Sequence, residues 1–140
     1  MNLELNLRIA GALQLALAAA HIPFPKWFNW REELARLSPL NRPVFIVHDL
    51  FIVLVLVLIG ALSCFAAPAL LQPAALGLLV CGGLTVFWAV RLYCQFFVYK
   101  PELWQGHRRR TVIHVGVTLL WAYLIAAYAM AFAHQWRLHA

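Results

Sequence analysis

The sequence predicts an all-α polytopic membrane protein: one bundle of four transmembrane helices over residues 1–140, with a short interfacial helix between the first two spans. Three observations carry that expectation. Apolar residues make up 64% of the chain and charged residues only 11%, against roughly 45–50% and about 25% in soluble domains. A globule this small buries a low fraction of its surface, so the apolar surplus needs lipid to cover it. Four windows are long enough to cross hydrocarbon, which takes about 20 apolar residues. The positive charge is also distributed as a topology signal. Lys26, Arg31, Arg36 and Arg42 follow the first window and Lys100, Arg108, Arg109 and Arg110 follow the third, while only Arg8 and Arg137 fall near the other side. Both basic loops are therefore expected in the cytosol and both termini outside, in an integral protein of a bacterial inner membrane.

The first span is expected over about residues 5–24, ending where Pro23 and Pro25 stop a helix. Ala18-Ala19-Ala20 resembles a signal-peptidase site. Cleavage there would leave both basic loops outside and invert the charge rule, so the segment is read as a retained span. In residues 26–37, Trp27, Trp30, Leu34 and Leu37 recur at helical spacing among charged residues, the pattern of a helix lying in the interface plane. Asn41 is expected to cap the second span, 44–65, with Pro43 in its first turn. That span is rich in Val, Ile and Leu, as suits a lipid-facing helix. A short uncharged link carries Pro68 and Pro73 into the third span, expected as one helix over 70–99. Its Gly77, Gly82 and Gly83 allow close helix approach. Pro101 ends it, and Thr111 is expected to cap the fourth span, 111–134.

The candidate functional residues are the polar groups inside these spans, because ionisable side chains in hydrocarbon are costly and concentrate at functional sites. At a rise of 1.5 Å per residue, His21, His48, Asp49, Arg91 and His114 all fall about 7–12 Å from their span centres on the cytosolic side. Gln95 lies one turn beyond Arg91. Helical stripes of period 3.6 are consistent with an inward layer: Gly11, Gln14, Ala18 and His21 on the first span, Leu84, Trp88, Arg91 and Gln95 on the third, and His114, Thr118, Trp121, Ile125 and Tyr128 on the fourth. His48 and Asp49 are about 100° apart, so only one can point to the centre.

Three chemistries fit such a layer. Neutral imidazole is a common metal ligand, and imidazoles from opposite helices can hold haem iron, so His21, His48 and His114 are the candidate ligands for haem b or a transition metal. Asp49 would then orient a ligand, and Arg91 would meet an anionic group of the cofactor. Alternatively, Asp49 and Arg91 pair as an internal polar lock. A third arrangement is a pocket for a lipid or quinone head group with its tail against Trp88 and Trp121. Cys64, Cys81 and Cys94 have no metal-site spacing. No phosphate-binding glycine loop and no nucleophile elbow is present, and the placement of the basic residues argues against nucleic acid. The residues leave open whether the chain is an enzyme. The expected role is a small membrane subunit, accessory to a larger assembly or self-associating, that binds a cofactor or lipid through His21, His48, Asp49, Arg91, Gln95 and His114. The alternative is a membrane-embedded redox protein or enzyme with His-ligated haem or metal.

Overall fold

In a computed structural model that describes residues 2–139, the protein is all-helical, with no strand among the described residues. Helices α1 (Leu3–Ala20), α4 (Asn41–Phe65), α6 (Ala75–Phe97) and α7 (Arg108–His139) are each long and apolar enough to cross a membrane. Short helices α2 (Phe24–Trp27), α3 (Trp30–Ala35) and α5 (Ala67–Leu71) and a 3₁₀ turn at Pro101–Leu103 connect them. The chain divides into two compact units: Arg8–Ala66, and Met1–Leu7 with Ala67–Ala140.

Within Arg8–Ala66, α1 and α4 meet through glycine. A Cβ on Gly11 would stand 2.6 Å from the Gly60 carbonyl oxygen and 2.8 Å from the Cys64 nitrogen. Only a residue without a side chain lets the two backbones approach this closely. The expected stripe on α1 is borne out in part: Gly11, Gln14 and Ala18 are buried, and His21 is half-buried. Away from that contact α4 leaves Phe51, Ile52, Leu54 and Leu58 exposed.

The interfacial segment is two short helices where one over 26–37 was expected. Asn29 breaks it with left-handed backbone (φ 50°, ψ 43°). Asparagine tolerates this region better than most residues, and here its amide also donates to Glu32 Oε2 at 2.7 Å. Its carbonyl accepts the backbone N–H groups of Glu32 and Glu33 and so starts α3. Leu34 is the buried residue of α3, and Trp30 packs edge-on against Phe45 of α4 at 5.0 Å. The start of α4 is shifted too. Asn41 is its first helical residue and not its cap, and the Ser38 hydroxyl accepts the Asn41 N–H at 3.2 Å.

In the other unit α6 and α7 form an antiparallel hairpin. Gly77 faces Gln135, Gly82 faces Phe132 and Trp88 stacks on Trp121, in a ladder that descends one helix as it climbs the other. The third span is not the single helix expected over 70–99. It breaks between Leu71 and Ala75 because Pro73 lacks an N–H and disfavours helical backbone in the residue before it. Pro68 is tolerated in the first turn of α5. The freed Leu70 carbonyl accepts from the Gln135 amide of α7. Helix α7 begins at Arg108, three residues before the expected cap. Thr111 lies inside its first turn and donates its hydroxyl to the carbonyls of Trp104 (2.9 Å) and His107 (3.2 Å).

Candidate functional site

A concavity inside Arg8–Ala66 follows from three local decisions. The end of α1 supplies one wall through Ala18, His21, Ile22 and Pro25. The Asn29 break turns α3 so that Trp30, Arg31 and Leu34 border it. Helix α4 supplies the other wall through Arg42, Ile46, Asp49, Leu50 and Val53. Those five positions are separated by four, three, one and three residues, which is one continuous helical stripe. The cavity holds about 540 Å³, within the range typical of small-molecule sites. From Arg42 to Val53 it follows α4 for about 16 Å.

Its chemistry is divided along that length. Arg31 and Arg42 stand toward the loop end, and neither side chain has a hydrogen-bond or ion-pair partner among the described residues. Asp49 lies two turns deeper on α4, is half-buried, and likewise has no such partner. His21 places Nδ1 2.8 Å from the Leu17 carbonyl oxygen. A carbonyl can only accept, so Nδ1 carries the proton and Nε2 of the neutral ring is left as an acceptor. His21 also packs on Phe24, ring centroids 4.5 Å apart. The groove therefore has two guanidinium donors and the His21 acceptor toward its loop end, one carboxylate two turns further along α4, and apolar walls between.

His48 does not line this groove. It is exposed, and its Nδ1 donates to its own helix at the Val44 carbonyl, 2.8 Å away. The adjacent pair at 48 and 49 is thus divided, with Asp49 on the groove side. His21 and His48 do not face each other across the cavity as a pair of haem ligands would.

The other expected residues form a separate arrangement in the α6–α7 hairpin. Arg91 Nη1 donates to Gln95 Oε1 at 3.2 Å, and Gln95 Nε2 donates to His114 Nδ1 at 2.7 Å. The first bond fixes which end of the amide is oxygen, so the second fixes the histidine: Nδ1 accepts and Nε2 of the neutral ring carries the proton. His114 stacks on Trp104 at 3.8 Å, and the Arg91 guanidinium lies 4.8 Å from the Trp121 ring centroid and 5.6 Å from that of Tyr99. Aromatic faces at these distances stabilise a partly desolvated cation. Trp88 and Trp121 are buried and stacked at 5.1 Å, and their indole N–H groups have no acceptor among the described residues.

The structure thus brings Arg91, Gln95 and His114 together in one unit and sets His21 and Asp49 along the groove of the other. Among the described residues no group of three or more His, Cys, Asp or Glu side chains is placed to hold a metal ion. Sequence reasoning missed the groove. From the sequence, Arg31 and Arg42 read as topology determinants that also touch anionic lipid and not as part of a groove, although the spacing of Arg42, Ile46, Asp49, Leu50 and Val53 is visible in the chain as one stripe. It also missed Tyr99 and Trp104, whose rings lie beyond the predicted polar stripes. Comparisons with protein-family models, with curated proteins and with solved structures found no match to this chain.

Proposed function

We propose that this protein is a small integral membrane subunit whose four long helices span the bilayer as a bundle and whose α1–α3–α4 groove holds a phospholipid in the cytosol-facing leaflet. The groove carries the proposal: a one-sided apolar trough bordered toward its loop end by two arginines with no partner among the described residues. Its run of about 16 Å along α4 is close to half of the roughly 30 Å hydrocarbon thickness, the depth of one acyl chain. Guanidinium groups bind phosphate with paired, charge-assisted hydrogen bonds. The positive-inside distribution of Lys26, Arg31, Arg36, Arg42, Lys100 and Arg108–Arg110 supports a cytosol-facing mouth for the groove, at the level of the phosphate head groups of that leaflet.

The broad exposed apolar face of α4 favours an accessory role. The subunit would pack against a membrane partner or a second copy of itself. Native mass spectrometry of the full chain, released from detergent, tests the lipid reading. A stoichiometric phospholipid adduct is expected on the wild type, weakened about tenfold or more by the Arg31→Gln/Arg42→Gln double change, since each lost charge-assisted bond costs about 1.5–3 kcal/mol. A wild type that carries no phospholipid, or a double variant that keeps it unchanged, refutes the assignment.

A further inference from the structure

We propose that the Arg91–Gln95–His114 chain of the α6–α7 hairpin is a pH-sensitive switch, in which protonation of His114 turns over the Gln95 amide and frees Arg91. The chain runs in one donor sense. Arg91 Nη1 donates to Gln95 Oε1 at 3.2 Å, and Gln95 Nε2 donates to His114 Nδ1 at 2.7 Å. Both bonds therefore depend on Nδ1 being an acceptor. With Gln95 on Nδ1 and a proton on Nε2, the neutral ring has no lone pair left for a metal. Proton uptake is the chemistry left to it, and the proton goes to Nδ1.

An imidazolium donates from both nitrogens, so the charged ring would meet the Gln95 NH2 group donor against donor. Gln95 is buried, and water does not replace the lost bond. The end of a glutamine side chain turns about a broad, roughly two-fold torsion, and its oxygen and NH2 ends are alike in size. Turning the amide over therefore restores a bond to the ring without repacking α6 on α7. It also brings Nε2 to the place of Oε1, facing Arg91 Nη1. Arg91 then loses its one hydrogen-bond acceptor among the described residues and has a second cation across a single side chain. It is left with the ring faces of Trp121 and Tyr99, while the imidazolium gains the face of Trp104. Arg91 is the charged group that α6 brings to the ring. On α7, Arg108 and Arg109 begin the helix, and Arg110, one turn before His114, donates its Nη1 to the Leu103 carbonyl. The connecting segment carries Tyr99, Lys100, Glu102 and His107, none of which has a hydrogen bond or ion pair with His114 among the described residues. The amide is thus the link through which the charge of His114 reaches Arg91.

The test is nitrogen NMR of the full-length protein in detergent, labelled at arginine and histidine and titrated from about pH 8 to about pH 5, the range in which imidazole charges. In the wild type the distinct Nη1 resonance of Arg91 is expected to be lost over the same pH interval in which the His114 ring takes up its proton, and to return on back-titration. His114→Phe keeps a ring against Trp104 and should leave the Arg91 resonance unchanged across the range, although the other histidines still titrate. Gln95→Glu supplies two acceptor oxygens, one for Arg91 and one for the imidazolium, so His114 should charge without releasing Arg91. Thermal melting at neutral pH identifies a variant that fails to fold, in which case the other decides. An Arg91 resonance indifferent to pH in the wild type, a His114 ring still neutral at the acid end, or a release that persists in His114→Phe or in Gln95→Glu overturns the inference.

Discussion

The approach of α1 to α4 at Gly11 makes a quantitative prediction. Replacing Gly11 by alanine puts a Cβ 2.6 Å from the Gly60 carbonyl oxygen, 2.7 Å from Cys64 Sγ and 2.8 Å from the Cys64 nitrogen. Two of these neighbours are backbone and cannot rotate away. To move from 2.6 Å to the 3.4 Å at which ordinary contact begins, the helices must separate by about 0.8 Å. Overpacking of this kind costs about 1–3 kcal/mol, offset by up to about 1 kcal/mol of helix propensity gained when alanine replaces glycine. The net expectation is a loss of about 1–2 kcal/mol. Gly83 is the control, because a Cβ there meets nothing within 4 Å. Gly83→Ala should keep only the propensity term and stabilise by up to about 1 kcal/mol. The assay is thermal unfolding in one detergent, where a chain of this size shifts by about 4 °C per kcal/mol, together with the rate of thiol labelling at half-buried Cys64, which should rise in Gly11→Ala. If Gly11→Ala is as stable as Gly83→Ala and Cys64 labels no faster, the two backbones are not in contact and the groove built on them loses one wall.

Further outcomes follow from single contacts. Gly77→Ala would crowd Gln135 Nε2 and the Leu70 carbonyl, each 2.8 Å from the new Cβ, and strand a buried carbonyl at a cost of about 1–3 kcal/mol; Gln135→Leu should cost a similar amount, and a double-mutant cycle should show the two losses overlapping rather than adding. Asn29→Val should destabilise by about 1–2 kcal/mol because its backbone is left-handed, while Asn29→Gly should stay near wild type, both read by thermal melting. Nitrogen NMR of labelled histidine should find the neutral rings of His21 and His48 protonated at Nδ1 and that of His114 at Nε2, and one common tautomer at all three sites would refute the bonding described for them. Gln95→Leu should release His114 to sample both tautomers and cost about 1–3 kcal/mol, since it also removes the Arg91 acceptor.

What the sequence made legible, and what it hid, has a physical pattern. The long helices were legible because their signal is a sum over some twenty residues, which a single misplaced side chain cannot erase. The inward stripes were legible for the same reason: Gln14 and Ala18, Trp88 and Gln95, and Trp121 and Tyr128 are all buried as their period requires. Junctions were less so. At Pro73 the apolar run continues unbroken while the backbone cannot, and hydropathy does not register a missing N–H. At Asn29 the break depends on one residue entering left-handed backbone, a local choice made between alternatives of similar energy. The capping expectations at Asn41 and Thr111 failed by one and four residues because Ser38 and the Trp104–His107 turn offered earlier partners.

The candidate site was harder still, because depth along a helix is a one-dimensional quantity and a site needs the other two. His48 and Asp49 share a depth, and sequence reasoning left both available to a central layer. Their 100° separation decides the matter only once α1 and α3 are in place, and then Asp49 borders the groove while His48 folds onto its own helix. The same logic explains Arg31 and Arg42. In the sequence they are two of the eight basic residues between long helices that the charge rule expects on one side. Once α3 and α4 are in place they are, among the described residues, the guanidinium groups bordering a trough that also holds a carboxylate with no partner among those residues. A charge that fixes topology and a charge that binds a head group are therefore not competing explanations of one residue. Basic residues flanking a span bias its orientation, and the same guanidinium groups are able to pair with phosphate, so one residue can meet both demands.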